Sequence, residues 1–235
     1  MKAFYDLHLH SCLSPCGDND MTPRNIAGMA ALLGLQVIAV ADHNTCRHCP
    51  AVLSAARGQG ILAVPAMELT TAEEVHVLCL FPDLDAAMDF DKYVYSKLPD
   101  IPNNERIFGE QLLLDDDENV LGREPRLLLS ATGIGIYDAV SLVKSYGGAA
   151  VPAHIDRPSF SVLSNLGLWD ANMGFAAYEI FDISQRDALE ARFPDLKNIR
   201  CISDSDAHYL ENMRDAEHAL DLERLSARAV VEHFS

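Results

Sequence analysis

Short apolar runs alternate along the chain with stretches of helical periodicity. Ala3 to His8 reads as a strand, and Gln36 to Ala41 as a second, nearly continuous in Val, Ile and Ala, as expected for a parallel strand covered on both faces. Ile61 to Ala66, Val75 to Phe81, Ala149 to Ala153, Ala176 to Phe181 and Ile199 to Ser203 supply further strands, with a last one near His218 to Leu222. The first intervening helix has Thr22 as N-cap, Pro23 at its first position, an apolar face of Ile26, Met29, Ala30 and Leu33, and Gly34 as its stop. Helical stretches follow around Ala51 to Arg57, over Asp83 to Lys97, over Ile136 to Tyr146 before Gly147-Gly148, and over Ser226 to Phe234. The repeat predicts one α/β domain spanning 1–235. It is interrupted around 99–131, where Leu112-Leu113-Leu114 and Val120-Leu121 read as a hairpin about the acidic turn Asp115 to Asn119. That acidic run reads as a solvated turn, since adjacent carboxylates usually stay hydrated.

Composition narrows the class. A chain of 235 residues with 49% hydrophobic content can fill a large core. The net charge of −17, from 35 acidic and 18 basic residues, argues against a long contact with a nucleic-acid backbone and leaves a single nucleotide or short substrate open. No apolar run reaches the roughly 18–20 residues that span a bilayer, and the chain opens directly on strand-like sequence, so neither membrane insertion nor a signal peptide is expected. Six scattered cysteines do not resemble a secreted disulfide framework, and a reducing cytoplasm is the expected compartment. Cys46 and Cys49 flank His48 without a second cysteine pair at suitable spacing, so they are expected to pack at a helix start.

The candidate chemistry lies at the strand ends. Residues two apart on a strand share a face, so His8 and His10 emerge together, an arrangement suited to one metal ion, although two alternating surface histidines are spelled the same way. The loop from Ser11 to Met21 holds Cys16, Asp18 and Asp20, which could serve as ligands or simply form turns. Asp42-His43-Asn44 closes the second strand, Met67-Glu68 the third, and His76 stands near the start of the fourth. His154, Asp156 and Arg157 follow Ala149 to Ala153, and Asp204-Ser205-Asp206-Ala207-His208 follow Ile199 to Ser203. Six of the nine histidines thus fall at one topological level, where α/β barrels place active sites. Glu179, inside its strand, reads as an edge residue or a structural ion pair.

Five ordered motifs carry a family resemblance. Asp6-Leu7-His8-Leu9-His10-Ser11, Ala41-Asp42-His43-Asn44, Glu68 with Glu74-Val75-His76, Ala153-His154 and Ser205-Asp206-Ala207-His208 resemble those of the polymerase and histidinol phosphatase (PHP) superfamily over most of the chain. The resemblance implies a distorted (β/α)7 barrel of the PHP type with two or three divalent metal ions, zinc, iron or manganese, at the strand ends. His8, His10, Glu68 and Asp206 resemble ligands of a first metal. Glu68 would bridge to a second held also by His76 and His154, and His43 and His208 resemble ligands of a third. The family's additional ligand from the loop after the opening pair has no aligned Asp or His here, where Pro15 and Cys16 stand. Asp18 is the preferred substitute, with Cys16 as thiolate or Asp20 as alternatives.

Metals about 3.5–4 Å apart can share a hydroxide and clamp charge developing on a phosphoryl group. The expected activity is therefore hydrolysis of a small phosphoester, a phosphomonoester or nucleotide-type compound, by a metal-bound hydroxide. Arg157, three residues beyond His154, could bind a substrate phosphate through its planar fork or form a surface salt bridge. Asp42 would orient a ligand or protonate the leaving oxygen. The alternatives are a non-catalytic metal-binding or polymerase-accessory module, and a hydrolase of a non-phosphate bond. The expected partner is the small substrate, with no extended nucleic acid and no membrane; oligomeric state is not legible.

Overall fold

The computed structural model describes residues 1–235. Its strands are β1 (Lys2–Leu9), β2 (Val37–Val40), β3 (Leu62–Ala63), β4 (Ala66–Thr70), β5 (His76–Leu80), β6 (Leu112–Leu114), β7 (Val120–Arg123), β8 (Ala149–Pro152), β9 (Ala177–Glu179), β10 (Arg200–Ile202) and β11 (Ala219–Asp221). They assemble as a four-stranded sheet of order β11-β1-β2-β3, a three-stranded sheet β4-β5-β8, and the pairs β9-β10 and β6-β7.

The expected (β/α)7 barrel is not traced as a closed ladder; the architecture is mixed α/β in separate sheets. Two local features account for this. Val64 and Pro65 divide the single strand expected over Ile61 to Ala66, because proline has no N–H to continue the ladder. β3 therefore pairs with β2, while β4 turns back and pairs antiparallel with β5 through Thr70–His76 and Glu68–Leu78. β5 and β8 are antiparallel as well, so the continuous apolar runs here do not signal parallel strands. The sheets nonetheless enclose one interior. Tyr5, Leu7, Val37, Leu78, Val151 and Ile202 meet in a single buried cluster drawn from three of them.

The helices cover the outer faces. Pro23–Leu32 is capped by the Thr22 hydroxyl, which accepts from the Asn25 N–H. It packs beside Cys49–Gly58 over Ile38 and Val40. Leu84–Lys97 and Ile136–Ser145 bury Phe90, Val94, Ile136 and Val143 against the far side of β4 and β5. Each fully buried side chain of this kind contributes about 1.5–3 kcal/mol. The link from helix to β8 requires glycine at 148, where a Cβ would lie 2.7 Å from the Leu80 carbonyl oxygen and 2.9 Å from Val143. The hairpin expected near 112–121 is present as β6-β7. No helix is long and apolar enough to cross a membrane.

Candidate metal centre

β1 carries the opening histidines with an irregularity that aims them. Asp6 pairs with Ile38 and Leu9 with Val40, so three steps on β1 match two on β2, and the extra residue is a β-bulge. The His8 and His10 rings lie 5.2 Å apart, and Asp206 approaches both from the loop after β10. That loop is tied back by a bridge between Leu9 and Ala207, as β4 is tied to the end of β2 by one between His43 and Glu68. His154 and Asp206 hold positive φ values of 30° and 49°, left-handed backbone uncommon for such residues and costly unless the surroundings impose it.

Glu68 is the hub. Its Oε1 lies 2.9 Å from His76 Nδ1, 3.2 Å from His8 Nε2 and 3.3 Å from His154 Nε2. Its Oε2 lies 2.8 Å from His43 Nδ1 and 3.4 Å from His10 Nε2. Asp206 Oδ1 lies 3.1 Å from His10 Nε2 and 3.7 Å from both His8 Nε2 and His208 Nδ1. Of these approaches, that of His154 Nε2 to Glu68 Oε1 has hydrogen-bond geometry; the others are close without it. His8 Nε2, His10 Nε2, His43 Nδ1, Glu68 Oε2 and Asp206 Oδ1 are all buried without a hydrogen-bond partner. Buried polar atoms are normally satisfied, and lone-pair donors that converge unpaired are what a cation requires. The residues present therefore fit metal ions. Three ligand groups form: His8, His10 and Glu68; His43, Glu68 and His76; His10, His43 and His208.

The electrostatics express the same crowding. Burial opposes ionisation of Glu68, yet His76, His8 and His43 hold its carboxyl well below the usual range. Burial also opposes protonation of His8, but Glu179, Glu68 and Asp206 outweigh it and raise its pKa well above normal. His10 moves the other way, driven down by burial and by His208 and His43.

The structure brings His8, His10, His43, Glu68, His76, His154, Asp206 and His208 together, and leaves Asp18 apart. Asp18 uses a carboxylate oxygen to accept from the Asp20 N–H at 2.8 Å, and its own N–H donates to the His208 carbonyl at 2.9 Å. Its side chain is committed to a turn, and Asp20 is exposed. Cys16 instead lines the cavity with His43 and His208. Desolvation opposes ionisation of its thiol, but those two imidazoles bring the pKa down to about 6.

Asp42 does not face the cavity. It accepts from the Ser11 N–H at 2.8 Å and from the Ser11 and Ser14 hydroxyls at 2.6 Å, so it has no free edge from which to protonate a leaving group. Ser14 Oγ in turn lies 3.0 Å from His10 Nδ1, which places Asp42 as the anchor of the His10 ring through Ser14. His48 joins the same chain: its Nε2 accepts from the Leu114 N–H at 2.8 Å and its Nδ1 meets Ser11 Oγ at 2.6 Å, linking β6 to Asp42. Asp42→Ala is expected to lower metal affinity about 10–100-fold and to destabilise the fold by about 3 kcal/mol through its stranded donors. Metal titration and urea unfolding measure the two effects.

Two carboxylates read as structural or overlooked in the sequence prove to support the centre. Glu179, fully buried, receives His8 Nδ1 at 2.9 Å and the His154 N–H at 3.2 Å. Asp204 accepts the Leu7 N–H at 2.5 Å, and its carboxyl is raised well above the usual range by burial, with Glu179 and Asp6 adding to the shift. A carboxylate inside an apolar strand was the one signal for Glu179. Cys46 and Cys49 are buried free thiols against the Ala66 carbonyl, as packing at a helix start requires.

Arg157 stands at the mouth, one Nη1 2.7 Å from Asp206 Oδ2 and its guanidinium 4.3 Å from the Phe181 ring. The cavity above the cluster measures about 350 Å³.

No protein-family model matches the chain, and no curated protein matches its sequence. Solved structures do match. Endonuclease Q from Pyrococcus furiosus, a lesion-specific endonuclease, superposes with a TM-score of 0.70 at 18% identity, covering 99% of this chain and 55% of that one. A two-domain protein from Bacteroides vulgatus containing a predicted PHP-like metal-dependent phosphoesterase superposes at 0.56 and 15% identity, over 100% and 62%. The chain has a PHP-like fold. It spans just over half the length of these neighbours. Among PHP-like neighbours, a further Endonuclease Q structure holds a 27-mer duplex with an abasic lesion at the active site, matching at a TM-score of 0.68 and 17% identity over 99% of this chain and 56% of that one.

That complex overturns the expectation that extended nucleic acid is excluded. Net charge averages over the whole surface, whereas recognition depends on the field at the cleft, whose local sign cations held by carboxylates would change.

Proposed function

We propose that this protein hydrolyses a phosphoester, with two or three divalent ions of zinc, iron or manganese held by His8, His10, His43, Glu68, His76, His154, Asp206 and His208. The observation that carries this reading is the convergence of buried, unpartnered imidazole and carboxylate atoms on Glu68 and Asp206. When bound, such ions lower the pKa of water and neutralise charge on a phosphoryl group. The chain's own groups do the remainder. Glu179 and Ser14 hold the His8 and His10 rings by their Nδ1 atoms, which leaves the Nε2 edges toward Glu68 and Asp206. Arg157 presents a planar donor fork at the mouth and orients the phosphate. The cavity volume suits a nucleotide-type phosphoester, either free or within a strand.

Protein loaded separately with manganese, iron and zinc, then offered phosphomonoesters, nucleotides and a duplex with an abasic site, tests this. Phosphate release or strand scission is expected with at least one metal, and its loss on chelation. Bound metal with no cleavage of any substrate would refute it.

A further inference from the structure

Phe160 has an unusual setting for an aromatic side chain. Its backbone is left-handed, with φ of 55°, a conformation that glycine or asparagine adopts at little cost and a bulky residue does not. The position is held firmly, because the Phe160 carbonyl accepts the His76 N–H at 2.9 Å. The ring lies nearly parallel to the His76 imidazole, with centroids 4.8 Å apart and planes 14° from each other. It still leaves 44% of the residue exposed, and it lines the same cavity as Leu129, Ser159 and Arg157. One face is thus taken by a residue of the cluster, while the ring stays partly exposed in the cavity that Arg157 also lines.

We propose that Phe160 is a stacking platform for a planar group, a nucleobase, joined to the phosphoester that the cavity receives. The proposal rests on the phosphoester reading above and narrows its substrate to a base-bearing nucleotide. Stacking suits this site because every base offers a π-face, so one aromatic ring can position the substrate without reading base edges. A phosphate held by Arg157 and a base held by Phe160 would fix the substrate at two points across the scissile bond, which limits its rotation.

The test compares deoxyadenosine 5′-monophosphate with 2-deoxyribose 5-phosphate, which share the phosphate and its 5′-alcohol, an anomeric hydroxyl replacing the base in the second. Wild type, Phe160→Ala and Phe160→Tyr are assayed for kcat/KM with the active metal, and for nucleotide binding by calorimetry after metal removal. The preference for the nucleotide is expected to fall about 5- to 150-fold in Phe160→Ala and to be retained in Phe160→Tyr, with nucleotide binding weakened in parallel. An unchanged ratio of the two substrates in Phe160→Ala would overturn the proposal, even where both rates drop. If wild type turns over neither compound yet binds the nucleotide in a Phe160-dependent manner, the platform stands and the hydrolytic reading fails.

Discussion

Glu68→Gln is expected to abolish hydrolysis and most of the stabilisation that metal confers. At a free concentration near a thousand times Kd, a bound ion adds about 4 kcal/mol to folding. For a chain of this size each kcal/mol moves Tm by roughly 2–4 °C, so wild type should melt about 8–16 °C higher with metal than after chelation. Glu68 offers its two oxygens to five imidazoles, from His8, His10, His43, His76 and His154, and no other carboxylate reaches all of these groups. A neutral amide keeps the volume and one oxygen but loses the charge that draws cations together. The loss of activity should exceed the roughly 10–100-fold cost typical of removing an outer partner of a ligand. Thermal scans with and without manganese, paired with elemental analysis, read the result. Full metal stoichiometry and an undiminished Tm rise in the variant would remove Glu68 from the centre of the site.

The convergence around Glu68 was legible because each clustered residue stands beside an apolar run that announces a buried strand. His8 with His10, His43, His154 and Asp206 with His208 all follow that rule. Strand direction was not legible, since Val75 to Phe81 reads the same whether its neighbour is parallel or antiparallel; only Pro65 marked the break. Asp18 stands apart from the cluster for a related reason: in a loop, a carboxylate that caps a turn and one that binds a cation have the same spelling, and here one of its oxygens accepts the Asp20 N–H. His48 and Leu114 were invisible as a pair because their bond joins positions 66 residues apart. The acidic composition misled in another way, by suggesting a whole-surface argument about nucleic acid that a local cluster does not obey.

Glu179→Ala is expected to show how far a residue that touches no cavity governs the centre. Glu179 receives the His8 ring at 2.9 and 3.2 Å, so Nδ1 is held toward β9 and the Nε2 edge is turned to Glu68 at 3.2 Å. The same carboxylate accepts the His154 N–H, whose left-handed backbone places that ring beside Glu68. Truncation strands both donors in a fully buried space, which should cost about 2–5 kcal/mol of stability. With His8 free to change tautomer or rotate, metal affinity should fall about 10–100-fold. Glu179→Gln separates the two effects, because its single amide oxygen can still accept from His8 Nδ1. It should recover most of the affinity and only part of the stability. Calorimetric metal titration beside denaturant unfolding measures both, and an Ala variant that unfolds early yet binds metal as tightly as wild type would confine Glu179 to a structural role.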